Sequence, residues 1–217
     1  IYTRRNGVEL PQHLPAFGAF RRKHGIAADA KVVLFLGRLV PKKSPDLLLE
    51  AFAAWRERLG KPNESVLVLA GPDEADGYRH QLEALAARLG LDGVAVLVGP
   101  LYEESKWAAF RDADVFLLPS QNENFGNAAA EAIACGTPVI VTDCCGIAPL
   151  VAGRAGLVVP HDRSAVQAAL GQILEDSSLR DRLRKGCAEV ARELTWEEPL
   201  NALEKLYAEI SLEARLE

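Results

Sequence analysis

Six short apolar segments rich in β-branched residues recur along the chain, separated by longer segments with helical periodicity. Each is apolar at nearly every position rather than at alternate positions, as in parallel strands that helices cover on both faces. We therefore predict one strand for each segment: Val32–Leu36, Val66–Ala70, Val94–Val98, Val115–Leu118, Val139–Val141 and Leu157–Val159.

Between the strands, apolar residues three and four positions apart predict amphipathic helices. Ser44 and Pro45 are the expected N-cap and first residue of one helix, and Gly60 ends it. Thr195 and Glu198 form a capping box that opens the last helix. The predicted helices cover residues 45–59, Tyr78–Leu89, Ala128–Cys135, Ser164–Leu174, Leu179–Leu194 and about 196–215.

Strands that alternate with helices form βαβ units, so the predicted fold class is α/β, a Rossmann-like doubly wound parallel sheet. Residues 1–14 are rich in turn formers and are interpreted as a linker that enters the domain. Residues 15–217 are interpreted as that domain. The chain begins at Ile1 and has no methionine, which we interpret as a fragment or an excised domain.

Composition narrows the possible partners. A net charge of −5 without a block of basic residues argues against nucleic acid. No stretch approaches the ~20 apolar residues that cross a bilayer, and no signal peptide is visible. The cysteines show no Cys-x-x-Cys spacing and are expected to be reduced thiols of a cytoplasmic protein. The histidines form no ligand spacing, and we expect no bound metal.

Ligands of open α/β sheets bind beyond the carboxyl ends of the strands. Here Gly37, Arg38 and Lys43 follow the first strand, and guanidinium and ammonium groups suit the oxygens of a diphosphate. The alternative is a pair of solvated surface cations. For Lys43 the two interpretations are close, whereas the place of Arg38 directly after a buried strand and a glycine favours binding.

The segment from Pro119 to Glu131 follows the fourth strand and is the most informative. Gly126 permits close approach of a ligand, and the helix that begins there directs free N–H groups and its positive dipole end at an anion. Glu123 precedes this helix and Glu131 lies about two turns inside it, so the two carboxylates could meet different hydroxyls of one extended ligand. Alternatively, Glu123 only stabilises the helix terminus and Glu131 is a surface residue. The apolar neighbours of Glu131 favour function, because an unpaired buried charge is costly.

These residues resemble a known family. The segment from Gly37 to Lys43 and the helix after it are similar to the first strand-turn-helix of the donor domain of GT-B glycosyltransferases, above all the retaining family 4. Glu123, seven residues and Glu131 resemble that family's Glu-x7-Glu motif, and residues 134–140 resemble the family's next segment along the chain. Residues 6–9 resemble the linker into the C-terminal domain. The resemblance covers nearly the whole chain, with four motifs in the family's order.

The resemblance implies a nucleotide-sugar site that works without an essential metal. Arg38 and Lys43 would bind the donor diphosphate and stabilise the leaving group, and Glu123 would contact the sugar hydroxyls. Glu131 would hold the ribose hydroxyls, and Leu101 would lie near the base together with Lys106. The remaining implied donor-binding residues are Gly37, Phe125, Gly126 and Asn127.

The implied function is transfer of a hexosyl-type sugar from a nucleotide-diphosphate sugar to an acceptor, with retention. The chain would be the donor-binding half, inactive alone, and the last helix would pack toward an N-terminal acceptor domain outside this chain. Any membrane association would run through that other domain.

Three segments depart from the family pattern: Ser44 stands where glycine is usual, residues 143–146 (Asp-Cys-Cys-Gly) replace paired glycines, and residues 148–150 lack an acid often found there. The departures at 144–145 and 148–149 motivate one alternative, a non-catalytic nucleotide-sugar-binding module or subunit. Other doubly wound classes are disfavoured, because neither a Gly-x-Gly-x-x-Gly turn nor a P-loop follows the first strand.

Overall fold

Six parallel strands form the centre of the structure, a computed structural model that describes residues 6–60, 64–74 and 77–213. The strands are β1 (Lys31–Leu36), β2 (Ser65–Ala70), β3 (Ala95–Gly99), β4 (Val115–Leu118), β5 (Val139–Thr142) and β6 (Gly156–Val159). Their order in the sheet is β3-β2-β1-β4-β5-β6, and every neighbouring pair is parallel. The predicted α/β, Rossmann-like doubly wound sheet is therefore confirmed.

Helices precede, connect and follow the strands, and they cover both faces of the sheet. They are α1 (Ala19–Lys23), α2 (Pro45–Leu59), α3 (Tyr78–Arg88), α4 (Glu103–Asp112), α5 (Asn127–Ala134), α6 (Ala148–Val151), α7 (Arg163–Glu175), α8 (Ser177–Glu193) and α9 (Glu197–Glu213). A 3₁₀ turn, Pro41–Lys43, precedes α2. Within the described residues, no helix combines the length and apolarity needed to cross a membrane.

Two apolar layers enclose the sheet, and neighbouring residues of one strand point into different layers. In β1, Val32 and Leu34 pack with α1, α4 and α5, while Val33 and Phe35 pack with α2, α3 and α7. The inner strands are buried on both faces as predicted. For the outer strands β3 and β6 that prediction is wrong: within the described residues each has a neighbouring strand on one side only, and Val96 is 40% exposed.

Helices α1, α4 and α6 were not predicted. Helices α1 and α6 have 5 and 4 residues, too few to show a helical repeat. In α4 the apolar residues form one unbroken block, Trp107–Phe110, behind a polar first turn, so no amphipathic period is visible.

Two of the predicted caps are corrected. Ser44 does not cap α2 through its side chain, because its backbone is left-handed (φ 51°, ψ 46°) and its hydroxyl lies 3.2 Å from the Pro41 carbonyl oxygen. Helix α9 begins at Glu197, one residue later than a capping box at Thr195 would place it. Residues 214–215 of the predicted last helix lie outside the described residues.

The segment 6–9 lies against the corner between α8 and α9. The Val8 N–H donates to the Leu194 carbonyl oxygen at 2.6 Å, and a Cβ on Gly7 would lie 2.5 Å from Cγ of Trp196. The Asn6 side-chain amide donates to Oδ1 of Asn127 at 3.0 Å. Residues 1–5 of the predicted linker lie outside the described residues.

Asp112 anchors α1 at the amino end of the sheet. Its carboxylate accepts the N–H groups of Gly18, Phe20 and Arg21 at 2.6, 2.8 and 3.1 Å. The Arg21 guanidinium reaches the neighbouring Asp114 at 3.0 Å, and all three of these charged residues are buried. Several N–H donors offset the free-energy cost of burying a carboxylate. We therefore infer that this cluster stabilises the fold.

Candidate functional site

The strand order places the candidate site at the point where the chain direction across the sheet reverses. β1 pairs with β2 on one side and with β4 on the other. The loops that follow β1 and β4 therefore diverge and leave a crevice at the carboxyl edge, which is where doubly wound sheets bind ligands. These are the loops that carry Lys43 and Glu123.

Lys43 and Glu123 form an ion pair across this crevice. Lys43 ends the 3₁₀ turn after β1, and the Lys42 carbonyl oxygen in that turn accepts the Gln121 N–H at 3.0 Å. Both charged side chains are only 17% exposed. A half-buried pair of this kind keeps its geometry better than a solvated surface pair, which favours the binding interpretation of Lys43.

The loop around Glu123 is held by the loop after β5. The Glu123 N–H donates to the Cys144 carbonyl oxygen at 3.1 Å, and the Gly146 N–H donates to the Glu123 carbonyl oxygen at 2.9 Å. A Cβ on Gly146 would lie 2.0 Å from the Asn124 carbonyl oxygen, so only glycine fits. The loop after β5 therefore fixes the backbone of Glu123 from both its N–H and its carbonyl group.

Helix α5 begins beside Glu123 at Gly126, whose backbone is left-handed (φ 108°). The first intrahelical bond runs from the Ala130 N–H to the Gly126 carbonyl oxygen at 3.0 Å, so the N–H groups of Asn127–Ala129 have no partner within the helix. Together with the positive end of the helix dipole they suit an anion. Phe125 packs against the core, and its carbonyl oxygen accepts the Ile147 N–H at 2.7 Å.

Glu131, one to two turns into α5, forms a second ion pair. Nζ of Lys106, on α4, lies 2.7 Å from Oε1 of Glu131, and each side chain is 23% exposed. The same ammonium group lies 4.1 Å from the ring centroid of Trp107. A cavity of about 410 Å³ opens here, lined by residues 6–9, Lys106, Trp107, Asn127, Glu131 and Trp196. Leu101 is half-buried against the core and is not among these lining residues.

Arg38 lies at the same rim but has a different partner. Its guanidinium is 3.0 Å from Glu74, in the loop after β2, and its side chain is 59% exposed. Among the contacts of the described residues, none joins Arg38 to Lys43 or Glu123. Gly37, the residue before Arg38, packs tightly against Gly71: a Cβ on Gly71 would lie 1.7 Å from the Gly37 carbonyl oxygen.

Glu74 is one residue of this rim that the predicted site does not include. It follows the second strand one residue after Asp73, so the general rule that ligands bind at strand ends was sufficient to include it.

The thiols near the site are poor nucleophiles. The hydrogen bond from Cys144 to the Asp143 carboxylate raises the pKa of the exposed Cys144 thiol, and burial raises the pKa of the Cys145 thiol. Burial, with a smaller contribution from Glu131, raises the pKa of Cys135 to about 12. All four cysteines are free, and the described residues contain no group of three or more His, Cys, Asp or Glu that could hold a metal ion.

Comparison with known proteins defines the family. Residues 17–190 match the family described as glycosyl transferases group 1. The D-inositol 3-phosphate glycosyltransferase of Corynebacterium efficiens is 37% identical over 191 residues, which cover 87% of this chain and 45% of that protein. The chain therefore belongs to the group 1 glycosyltransferase family, and it spans about half the length of the curated relatives that it matches.

Solved structures share the fold. Sucrose-phosphate synthase from Thermosynechococcus elongatus superposes with a TM-score of 0.79 and 29% identity, over 95% of this chain and 52% of that one. The Anabaena protein Alr3699/HepE, crystallised with UDP and glucose, has a TM-score of 0.77 at 22% identity, over 87% of this chain and 51% of that one. The domain thus has the Rossmann-like α/β architecture of GT-B glycosyltransferases.

Proposed function

We propose that this chain is the donor-binding part of a retaining glycosyltransferase. It binds a nucleotide-diphosphate sugar in the crevice between the loops after β1 and β4. The observation that supports this most strongly is the half-buried Lys43–Glu123 pair beside the amino end of α5. A cation, a carboxylate and free N–H groups at one crevice match the diphosphate and the sugar hydroxyls of such a donor.

The diphosphate would be held by Lys43, Arg38 and the first N–H groups of α5. The ammonium group has three donors, so Lys43 can keep Glu123 and also reach phosphate oxygens. Arg38 would exchange Glu74 for phosphate. This exchange costs little, because the Arg38–Glu74 pair is 59% and 46% exposed and surface pairs contribute at most about 1 kcal/mol.

During transfer, the acceptor hydroxyl oxygen forms a bond to the anomeric carbon while the bond from that carbon to the diphosphate oxygen breaks. The electron pair of the broken bond leaves with the diphosphate, and the acceptor's hydroxyl proton passes to the leaving diphosphate oxygen. Lys43 and Arg38 would stabilise the charge that develops on that oxygen, which lowers the barrier because the charge is larger in the transition state than in the bound donor. Glu123 would accept hydrogen bonds from sugar hydroxyls and Glu131 from the ribose. The sugar would be hexosyl-type, transferred with retention as in family 4.

An acceptor would be bound by a further domain, so we expect donor binding but little transfer from this chain alone. Helix α9 offers a surface for that domain, since Leu200, Tyr207 and Ile210 are 49%, 61% and 52% exposed along it. Exposed apolar side chains grouped on one helix are typical of a contact surface.

Calorimetric titration with UDP, GDP and ADP tests the proposal. We expect one nucleotide to bind saturably and Arg38→Ala and Glu131→Ala each to weaken it. The alternative, a non-catalytic module, predicts the same binding. It differs in that the chain joined to its acceptor domain would transfer no sugar, and Lys43→Ala would then leave its biological activity unchanged.

A further inference from the structure

Ser44, the residue after Lys43, has a backbone conformation that side chains disfavour. Its φ and ψ are 51° and 46°, in the left-handed region, and it is 2% exposed. Among the described residues, Glu103 is the one other non-glycine residue with positive φ. Such a conformation costs free energy and persists only where surrounding contacts impose it.

Two contacts hold the Ser44 side chain, one to Pro41 within the same turn and one to His161, in the loop after β6. Oγ of Ser44 lies 3.2 Å from the Pro41 carbonyl oxygen and 2.9 Å from Nε2 of His161. A carbonyl oxygen can only accept, so the single hydroxyl proton is donated to Pro41 and Nε2–H of His161 donates to Oγ. We call these two hydrogen bonds, from His161 to Ser44 and from Ser44 to Pro41, the Ser44–His161 relay. Because β4 and β5 separate β1 from β6 in the sheet, the relay joins two loops across the carboxyl edge.

The relay holds the 3₁₀ turn that carries Lys43. The turn is fixed on one side by the bond from Gln121 to the Lys42 carbonyl oxygen, and internally by the Lys43 N–H, which donates to Val40 at 2.9 Å. His161 and Ser44 fix its carboxyl end. Without them, the backbone at residue 44 could relax to negative φ, which would redirect the Lys43 side chain away from Glu123.

We propose that His161 and Ser44 are positioning residues, which act through the backbone to hold the Lys43 ammonium group at the diphosphate site. This proposal depends on the proposed function only for the identity of the ligand that Lys43 contacts. The hold on the turn itself is independent of any nucleotide.

A double-mutant cycle tests whether His161 acts through Lys43. The wild-type chain, His161→Ala, Lys43→Ala and the double variant are titrated with whichever of UDP, GDP and ADP the wild type binds best. We expect His161→Ala to weaken binding about fivefold alone and less than about twofold when Lys43 is already alanine. Equal weakening in both backgrounds would overturn the proposal, because a general structural role predicts it.

Three further variants sharpen this test. His161→Gln keeps an N–H donor and is expected to retain affinity within about twofold of wild type. Ser44→Gly in the His161→Ala background removes the cost of positive φ and is expected to recover part of the affinity. His80→Ala, at an 87% exposed side chain on α3, is the matched control and is expected to change nothing.

Amide hydrogen exchange tests the hold on the turn without nucleotide. In His161→Ala we expect the Lys43 and Ser44 amides to exchange at least about fivefold faster, with amides of α3 unchanged. Unchanged exchange at Lys43 and Ser44 would overturn the inference even if the wild type binds nucleotide. If the wild type binds none of the three nucleotides, the proposed function fails, and the exchange rates still decide whether His161 fixes the turn.

Discussion

Nζ of Lys106 lies 2.7 Å from Oε1 of Glu131, so a helix that follows β3 holds the carboxylate of a helix that follows β4. Lys43 and Glu123 repeat this relationship between the loops after β1 and β4. Each carboxylate of the Glu-x7-Glu motif is therefore paired with a lysine from a different segment of the chain, Lys43 from the turn after β1 and Lys106 from α4. The pairs neutralise the carboxylates, which would otherwise repel an incoming diphosphate.

Replacing Glu131 with glutamine is expected to weaken binding of the nucleoside part of the ligand. The variant keeps the shape but loses charge-assisted acceptance from ribose hydroxyls, so we expect affinity for the nucleoside diphosphate to fall about tenfold. Affinity for inorganic pyrophosphate, which has no ribose, should not fall. Titration with both ligands measures this, and Glu57→Gln on the exposed side of α2 is the control. An equal loss for both ligands would refute a ribose contact.

Replacing Lys43 with alanine is expected to weaken binding of the diphosphate part of the ligand. The variant loses a phosphate ligand and leaves Glu123 uncompensated, and we expect affinity for nucleoside diphosphate to fall at least about tenfold. Lys42→Ala is a matched control, because it removes the same charge one residue earlier from an exposed side chain and keeps the carbonyl that Gln121 contacts. Equal losses in the two variants would mean that net charge alone matters.

Donor binding is expected to require no divalent metal, because Lys43, Arg38 and the amino end of α5 supply positive potential at the crevice. We expect the dissociation constant for the nucleoside diphosphate to agree within about twofold in EDTA and in magnesium. A loss of binding in EDTA would contradict this prediction.

Replacing Asp112 with alanine is expected to lower stability without altering the site. Three N–H groups of residues 18–21 would lose their acceptor at a buried position, which costs about 2–4 kcal/mol of the free energy of unfolding. Urea unfolding measures this, with Asp181→Ala as the control because that side chain is 67% exposed. A change below about 0.5 kcal/mol would show that water replaces the carboxylate.

Alkylation with iodoacetamide should modify Cys144 first and slowly at pH 7. Cys144 is exposed, but its bond to Asp143 raises the thiol pKa, so less thiolate is present than in a free cysteine. The rate should rise as pH increases toward that raised pKa. Mass spectrometry of the modified peptides checks both points, and fast modification of Cys187 would contradict its burial.

The fold could be predicted because the same apolar pattern recurs at each of the six strands. Every strand was found within two residues of its observed ends, since a buried parallel strand is apolar throughout. Helix α4 was not predicted, because the apolar block of that helix has no period. The placement of Lys43 beside Glu123 follows from topology, whereas the pairing of Arg38 with Glu74 and of Ser44 with His161 depends on loop geometry that no spacing encodes.

The most direct test of the account is a crystal structure of this chain with the nucleoside diphosphate that binds most tightly. We predict that the diphosphate lies within hydrogen-bond distance of Nζ of Lys43 and of the first N–H groups of α5, with the ribose at Glu131. A nucleotide bound away from the crevice between the loops after β1 and β4, for example on the outer faces of α2 and α7, would contradict the account.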